Sequence, residues 1–207
     1  DDMNLNEMYD ELVANPNVTS NVIKARDMLQ KIAITQFESG YPYLVFVDRA
    51  NDANPLKEFG RIKMSNLCTE IFQVQTTSKI TDYGEDDEIG YDISCNLGSL
   101  NIANVMDQKD IENVVGTATE ALTIVSDLSN VKNAPGVRRA NEDFHAIGLG
   151  AMNLHGYLAK NKIMYESEEA KEFASSFFAA VNYYSLKKSM EIAKEKGESF
   201  KGFEVSE

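Results

Sequence analysis

Tryptophan is absent from this 207-residue chain, and cysteine, histidine and proline are scarce, at two, two and four residues. Two cysteines over this length are too few for the disulfide framework of a small secreted domain. Their scarcity points to a reducing, cytoplasmic setting. The two histidines, His145 and His155, lack a partner motif, so no zinc-ligand spacing is present. Positive charge is also short. Twenty Lys and Arg stand against 33 Asp and Glu, for a net charge of −13. The only adjacent arginines are Arg138 and Arg139. A phosphate track needs clustered cations, so no nucleic-acid partner is expected and the acidity is read as solubility. No apolar run approaches the roughly 18–20 residues of a membrane span, and the longest, Tyr41 to Val47, contains a proline. Asp1-Asp2-Met3-Asn4 has neither the basic nor the apolar region of a signal peptide.

What is present suits a packed chain with helices and strands. The apolar fraction of 43% lies slightly below the roughly 45–50% of ordinary globular proteins, enough for a sizeable core. Asp1 is not a natural start, and Phe200-Lys201-Gly202-Phe203 carries aromatics that want a core. Both ends are therefore expected to be cut from a longer protein.

Leu5 to Val13 reads as a short helix. Ser20 is expected to cap a second one that runs to about Glu38 and stops at Gly40. Tyr43 to Val47 is continuously apolar, which predicts a strand buried on both faces in an α/β fold, followed by a loop at Asn51–Pro55. Asp107 or Asp110 can cap a helix bearing Ile111, Val115, Leu122 and Val125 on one face. Asn133 to Gly136 breaks it, and Ala146 to Lys160 reads as mostly helical. Ser167 opens a long final helix with Ala170, Phe173, Ala174, Phe177, Phe178 and Val181 on one stripe, read as core, and Gly197 as its stop. Gly148-Leu149-Gly150-Ala151-Met152 fails the dinucleotide pattern at its third glycine and is read as close helix packing. Asp82 to Glu88 lacks the spacing of a calcium loop and reads as a solvated turn.

Asn66-Leu67-Cys68-Thr69-Glu70 places an amide, a thiol and a carboxylate at alternate positions. In an extended chain these three would share a face. Cys95, the other cysteine, sits 27 residues on. A hairpin turning near residues 81–82 would bring the two thiols together. A lone cysteine is commonly just a buried small side chain. The carboxylate changes that reading. A negative charge beside a thiol disfavours the thiolate, which argues against a nucleophilic cysteine hydrolase. It is compatible with a neutral S–H that exchanges a hydrogen atom, with Glu70 as base to a substrate hydroxyl and Asn66 fixing an oxygen.

The stretch Ser65-Asn66-Leu67-Cys68-Thr69-Glu70-Ile71 resembles the finger loop of the large, catalytic subunit of ribonucleotide reductase. Gly40 to Asn51 resembles the strand and loop before that finger. Ser94-Cys95-Asn96-Leu97-Gly98-Ser99-Leu100-Asn101 is similar to the segment that carries a redox cysteine. Ile147 to Gly150 and Tyr183 to Lys187 look like later helical signatures. The spacing of the two cysteines is similar to that of bacterial class Ib enzymes. The resemblance implies that residues 1–207 are an internal fragment of a ten-stranded α/β barrel, two antiparallel five-stranded halves with a finger loop through the centre. Residues 65–71 would be the finger motif, 93–101 the redox-cysteine segment and 107–200 a helical region.

It also implies the chemistry. Cys68 would hold a thiyl radical that removes the 3′ hydrogen of a ribonucleoside diphosphate. Glu70 would take the 3′ hydroxyl proton, and Asn66 would bond the sugar. Leu67 and Thr69 would line the substrate with them, and Cys95 would be one half of the reducing dithiol. No metal or cofactor is implied in this segment. The radical would come from a dimetal-tyrosyl small subunit, the electrons from a thioredoxin- or glutaredoxin-like reductant, and ATP and dNTP effectors would bind elsewhere in a homodimeric subunit. The other half of the dithiol is implied upstream and the radical-relay tyrosines downstream, so Tyr183-Tyr184 is not that pair. Two other classes of function stay open: a non-catalytic module for subunit assembly, and a redox sensor pairing Cys68 with Cys95.

Overall fold

The computed structural model describes residues 5–81 and 86–206, in a chain that divides into two compact units, Asp1–Leu44 and Val45–Glu207. The first unit holds α1 (Leu5–Ala14) and α2 (Ala25–Ser39). Gly40 ends α2 as expected, at φ 79°, and its N–H donates to Gln36 O at 2.8 Å. The start of α2 differs from the sequence expectation. The helix begins at Ala25, with Lys24 at the N-cap and no side-chain cap bond, rather than at Ser20. The β-branched pair Val22-Ile23 lies between, and such side chains crowd the preceding helical turn.

The buried strand expected over Tyr43–Val47 does not form. No ladder partner exists for it among the described residues, and Tyr43, Leu44 and Phe46 are exposed. Val47 instead opens α3 (Val47–Asp52), which takes in the first two residues of the predicted loop. An apolar run signals a preference for burial, but a strand also needs a hydrogen-bonding neighbour.

The second unit continues with β1 (Leu97–Asn101), α4 (Ile102–Gln108), α5 (Ile111–Leu128), α6 (Pro135–Phe144), β2 (Gly148–Met152), α7 (Leu154–Lys160) and α8 (Glu168–Lys196). β1 and β2 pair in parallel, Leu97 with Gly148 through Asn101 with Met152. This corrects the mostly helical reading of 146–160 over its first half, and with it the helix-packing reading of the Gly148–Met152 run, while α7 keeps the second half helical. The small residues do serve close approach, but between strands: a Cβ on Gly148 would meet Leu97 Cδ2 at 2.4 Å.

Caps fix the helices. Asp110 Oδ1 accepts from Asn113 N at 3.2 Å, and Ser167 Oγ accepts from Ala170 N at 3.2 Å. Pro135 occupies the first turn of α6, where its missing N–H has no helical partner to lose. Gly197 stops α8 in the left-handed region, φ 75°. The core joins Leu100, Ile102 and Val105 to Val115 of α5 and to Phe177 and Val181 of α8. The stripe predicted on α8 thus packs inward through Phe173 and Phe177, although Phe178 faces out. α5 and α8 run in the same direction, laced by Lys187–Glu112, Lys188–Glu120 and Lys196–Asp127 at 2.5, 2.9 and 2.5 Å. These pairs draw the Lys187 and Lys188 ammonium groups upward from their ordinary pKa, chiefly through the hydrogen bonds to Glu112 and Glu120.

Candidate active site

Three stretches of the second unit lie side by side: 61–64, 73–79 and 88–94. Gln75 N donates to Arg61 O at 3.0 Å on one flank. On the other, Lys79 and Glu88 exchange backbone bonds at 2.8 and 3.0 Å, Thr76 N donates to Tyr91 O at 3.1 Å, and the Gln73 carboxamide holds both backbone groups of Ser94 at 2.8 Å. Gly90 permits this approach, since a Cβ there would lie 2.1 Å from Thr76 O. The first stretch is anchored by Asn51, whose side chain accepts from Ile62 N at 2.9 Å and donates to Ile62 O at 2.8 Å.

The antiparallel pairing expected between the two cysteine segments is therefore present, but its register is not the symmetric one. Lys79 faces Glu88, Thr76 faces Tyr91 and Gln73 faces Ser94. One residue further sets Phe72, not Cys68, level with Cys95. The turn itself, at 82–85, lies outside the described residues. Beside it, Asp87 Oδ1 accepts from Thr81 N at 2.9 Å.

Asn66, Cys68 and Glu70 do not share the face of an extended strand. The chain turns instead: Thr69 N donates to Asn66 O at 3.0 Å, and Thr69 has φ 63°. Asn66 Oδ1 accepts from Glu70 N at 3.2 Å and from Ile71 N at 3.1 Å. The single Ser65 O–H has two acceptors in reach, Asn66 Oδ1 at 3.2 Å and, closer, Ile71 O at 2.6 Å. Asparagine favours this because its short amide can satisfy the backbone a few residues on. Ile71 then buries its side chain, while Leu67, Cys68 and Glu70 stay exposed and Thr69 half-buried. The loop thus presents a thiol and a carboxylate to solvent from a fixed backbone. With the Asn66 oxygen committed to the loop, its Nδ2 hydrogens are the donors left for a ligand.

Cys95 is likewise exposed, and both thiols are free. Its two neighbours are clamped. Ser94 Oγ donates to the buried Asn141 Oδ1 at 3.3 Å, and Ser126 Oγ donates to the same oxygen at 2.7 Å. Asn96 Nδ2 donates to Leu122 O at 2.8 Å, and Asn96 O accepts from Gly148 N at 2.9 Å. The Cys95 backbone is therefore held by α5, α6 and β2 at once.

Below this site Tyr91 OH donates to Asp143 Oδ2 at 2.6 Å, and Lys201 Nζ reaches the same oxygen at 2.9 Å. Arg139 sits 4.4 Å above the Tyr91 ring and donates to Ile89 O, and Phe144 packs 4.6 Å from it. Burial pushes the Asp143 carboxyl up, but the bonds from Tyr91 and Lys201 and the charges of Lys201 and Arg139 outweigh it and hold it below its ordinary value. The Asp143 bond raises Lys201 in turn, with a further contribution from Tyr91. The aromatics at 200–203 do not reach a core as expected: Phe203 is 59% exposed and Phe200 is half-buried, the two rings meeting edge to face at 5.7 Å, and only Gly202 lies against Phe59.

Gln73, Gln75 and Asn141 are given no role in the sequence reading, and Asn51 appears there only as a loop residue. The signal was available in Gln73-Val74-Gln75, two amides around a buried valine in a strand-like stretch. A cleft of about 540 Å³ lies beside α3, between Asp48, Asp52, Lys57 and Arg61. It contains none of the predicted site residues. Among the described residues no group of three or more His, Cys, Asp or Glu could hold a metal ion, and no helix is long and apolar enough to cross a membrane.

A family model described as ribonucleotide reductase, barrel domain, matches residues 1–207. The chain is 55% identical over 206 residues to the ribonucleoside-diphosphate reductase subunit alpha of Bacillus subtilis, across 100% of this chain and 29% of that protein. It is 47% identical over 204 residues to the subunit of the same name from Mycoplasma pneumoniae, across 98% of this chain and 28% of that one. Among solved structures, the class Id ribonucleotide reductase alpha subunit of Actinobacillus ureae matches with a TM-score of 0.70 at 25% identity, over 94% of this chain and 35% of that one. The chain thus spans under a third of the length of these curated relatives.

Proposed function

Because the chain belongs to the ribonucleotide reductase barrel-domain family, we propose that it carries the substrate-reducing centre of a class Ib ribonucleoside-diphosphate reductase alpha subunit. The Cys68 sulfur, as a thiyl radical, takes the 3′ hydrogen atom of a ribonucleoside diphosphate and becomes S–H. Glu70 accepts the 3′ hydroxyl proton, and Asn66 donates from Nδ2 to the sugar. The 2′ hydroxyl leaves as water with one hydrogen of a dithiol, and the other goes to C2′. Glu70 then returns its proton to the 3′ oxygen, and Cys68 returns the 3′ hydrogen and regains its radical. Two electrons come from that dithiol, which closes to a disulfide, with Cys95 as one of its sulfurs.

The observation that carries this reading is the turn over 65–71. It holds Cys68 and Glu70 exposed on one pinned loop and commits the Asn66 oxygen to the backbone. A sensor pairing Cys68 with Cys95 is less well served, because the antiparallel register sets Phe72 beside Cys95. In the complete subunit we place a radical-generating small subunit, a thioredoxin- or glutaredoxin-like reductant, a homodimer contact and effector nucleotide sites outside this chain, in the cytoplasm.

The test is Cys68→Ser in the full-length alpha subunit. Turnover should be lost while the melting temperature and far-ultraviolet circular dichroism stay as in the parent. A variant that still makes deoxynucleotide at the parent rate excludes the radical role.

A further inference from the structure

We infer that Gln73 and Gln75 are positioning residues that set the two thiol-bearing segments relative to one another. Both lie in the stretch that runs between those segments. The Gln75 carboxamide faces the Cys68 side: Oε1 accepts from Lys63 N and Met64 N, each at 2.9 Å, and Nε2 donates to Met64 O at 3.1 Å. Met64 immediately precedes the Ser65–Ile71 turn. The Gln73 carboxamide faces the Cys95 side: Nε2 donates to Ser94 O and Oε1 accepts from Ser94 N, both at 2.8 Å. Ser94 immediately precedes Cys95. Each amide therefore grips the backbone just before one thiol.

The chemistry suits spacing rather than simple cohesion. Backbone paired directly with backbone sets neighbouring chains about 4.8 Å apart. A glutamine amide offers the same donor and acceptor at the end of a methylene arm, so it bonds a neighbouring backbone across a wider gap. Val74, buried between the two glutamines at 3% exposure, keeps the stretch itself from shifting. Gln75 is buried and has four backbone partners, counting the bond from its own N–H to Arg61 O. The pair forms one rail with a thiol segment fastened on each side.

The inference rests on the reading of Cys68 and Cys95 as reacting sulfurs for its catalytic meaning, and its test separates the two. Cys68 and Cys95 are the only cysteines of the chain, and both are free and exposed, so each can carry a nitroxide label. Electron paramagnetic resonance then reads the distance between the labels. A narrow distribution is expected for the native sequence. Gln73→Leu and Gln75→Leu should each broaden or shift it while the thermal transition stays cooperative. Should a leucine variant fail to fold, Gln73→Glu serves, since it keeps the acceptor for Ser94 N–H and loses the donor to Ser94 O. A distribution unchanged in the folded variants overturns the inference.

In the full-length subunit the same substitutions should lower kcat with KM little changed. A misplacement of about 1 Å costs on the order of 10²-fold in rate. Broadened distances with undiminished turnover would leave the positioning in place and remove the assigned roles of Cys68 and Cys95. Unchanged distances would remove the positioning and leave those roles standing.

Discussion

Asn66 carries two duties through two ends of one amide. Its oxygen closes the turn by accepting from the Glu70 and Ile71 N–H groups, and its nitrogen is what remains for a ligand. Glu70 is the simpler case: its backbone N–H belongs to the turn and its carboxylate is exposed. Glu70→Gln keeps size and backbone bond but removes the base. General-base catalysis contributes roughly 10²–10⁴-fold, so kcat in the full-length subunit should fall within about that range, with the melting temperature unchanged. Single-turnover measurement of deoxynucleotide formation decides this; a loss under about threefold would assign the proton to another group. The sequence grouped Asn66, Cys68 and Glu70 but mistook the shape of the backbone that carries them. Alternation in an extended chain and a turn pinned by an asparagine read alike in five letters. The difference lies in backbone bonds to Ile71 and Ser65 that only the folded loop reveals.

At the scale of elements, the closest approach in the site region is that of Gly90 to the backbone at Thr76. Gly90→Ala sets a methyl against a carbonyl that is itself part of the pairing and cannot swing away. Overpacking of this kind costs about 1–3 kcal/mol, so the urea midpoint should fall accordingly. Gly116→Ala in α5, whose new Cβ would meet only Lys188 side-chain atoms at 3.9 Å, is the control expected to be neutral or stabilising. A second clamp ties three elements through Tyr91, Asp143 and Lys201. The Asp143 carboxyl lies below its ordinary 3.8 when folded, so its contribution is complete above that value and is lost as pH falls through the lowered one. Lys201 lies above its ordinary 10.5, so its contribution is complete below that value and is lost as pH rises past the raised one. Asp143→Asn should therefore destabilise most across neutral pH, and its difference from the parent should shrink below about pH 3.8. Paired melts from pH 2 to pH 8 measure this, and a constant difference across that range contradicts it. Elements with local signatures were legible: the Asp110 and Ser167 caps and the Gly40 and Gly197 stops. The β1–β2 pair was not, because Leu97 and Gly148 meet across 51 residues and β2 is rich in glycine. Local pattern carries no information about so distant a partner.

At the scale of the whole molecule, the count of sulfurs sets a limit. Replacing the 2′ hydroxyl by hydrogen takes two electrons, and a dithiol supplies them only by joining two sulfurs. The chain has two cysteines in all. If Cys95 joined Cys68, the sulfur to which we assign the radical would be consumed by the reduction it starts. A third sulfur is required, and this chain spans 29% of the length of the Bacillus subtilis subunit. The 207-residue chain, supplied with ribonucleoside diphosphate, an active small subunit and excess dithiothreitol, should therefore form no deoxynucleotide above background. Full-length subunit under the same conditions should turn over. The chain should still show its fold, since Ile102, Val115 and Phe177 are buried together within it. Phe177→Ala, costing about 3–5 kcal/mol, should lower its melting temperature markedly and so establish that the inactive material is folded. Deoxynucleotide made by the chain alone would show that dithiothreitol can stand in for a third sulfur, and would overturn the limit drawn from the sulfur count.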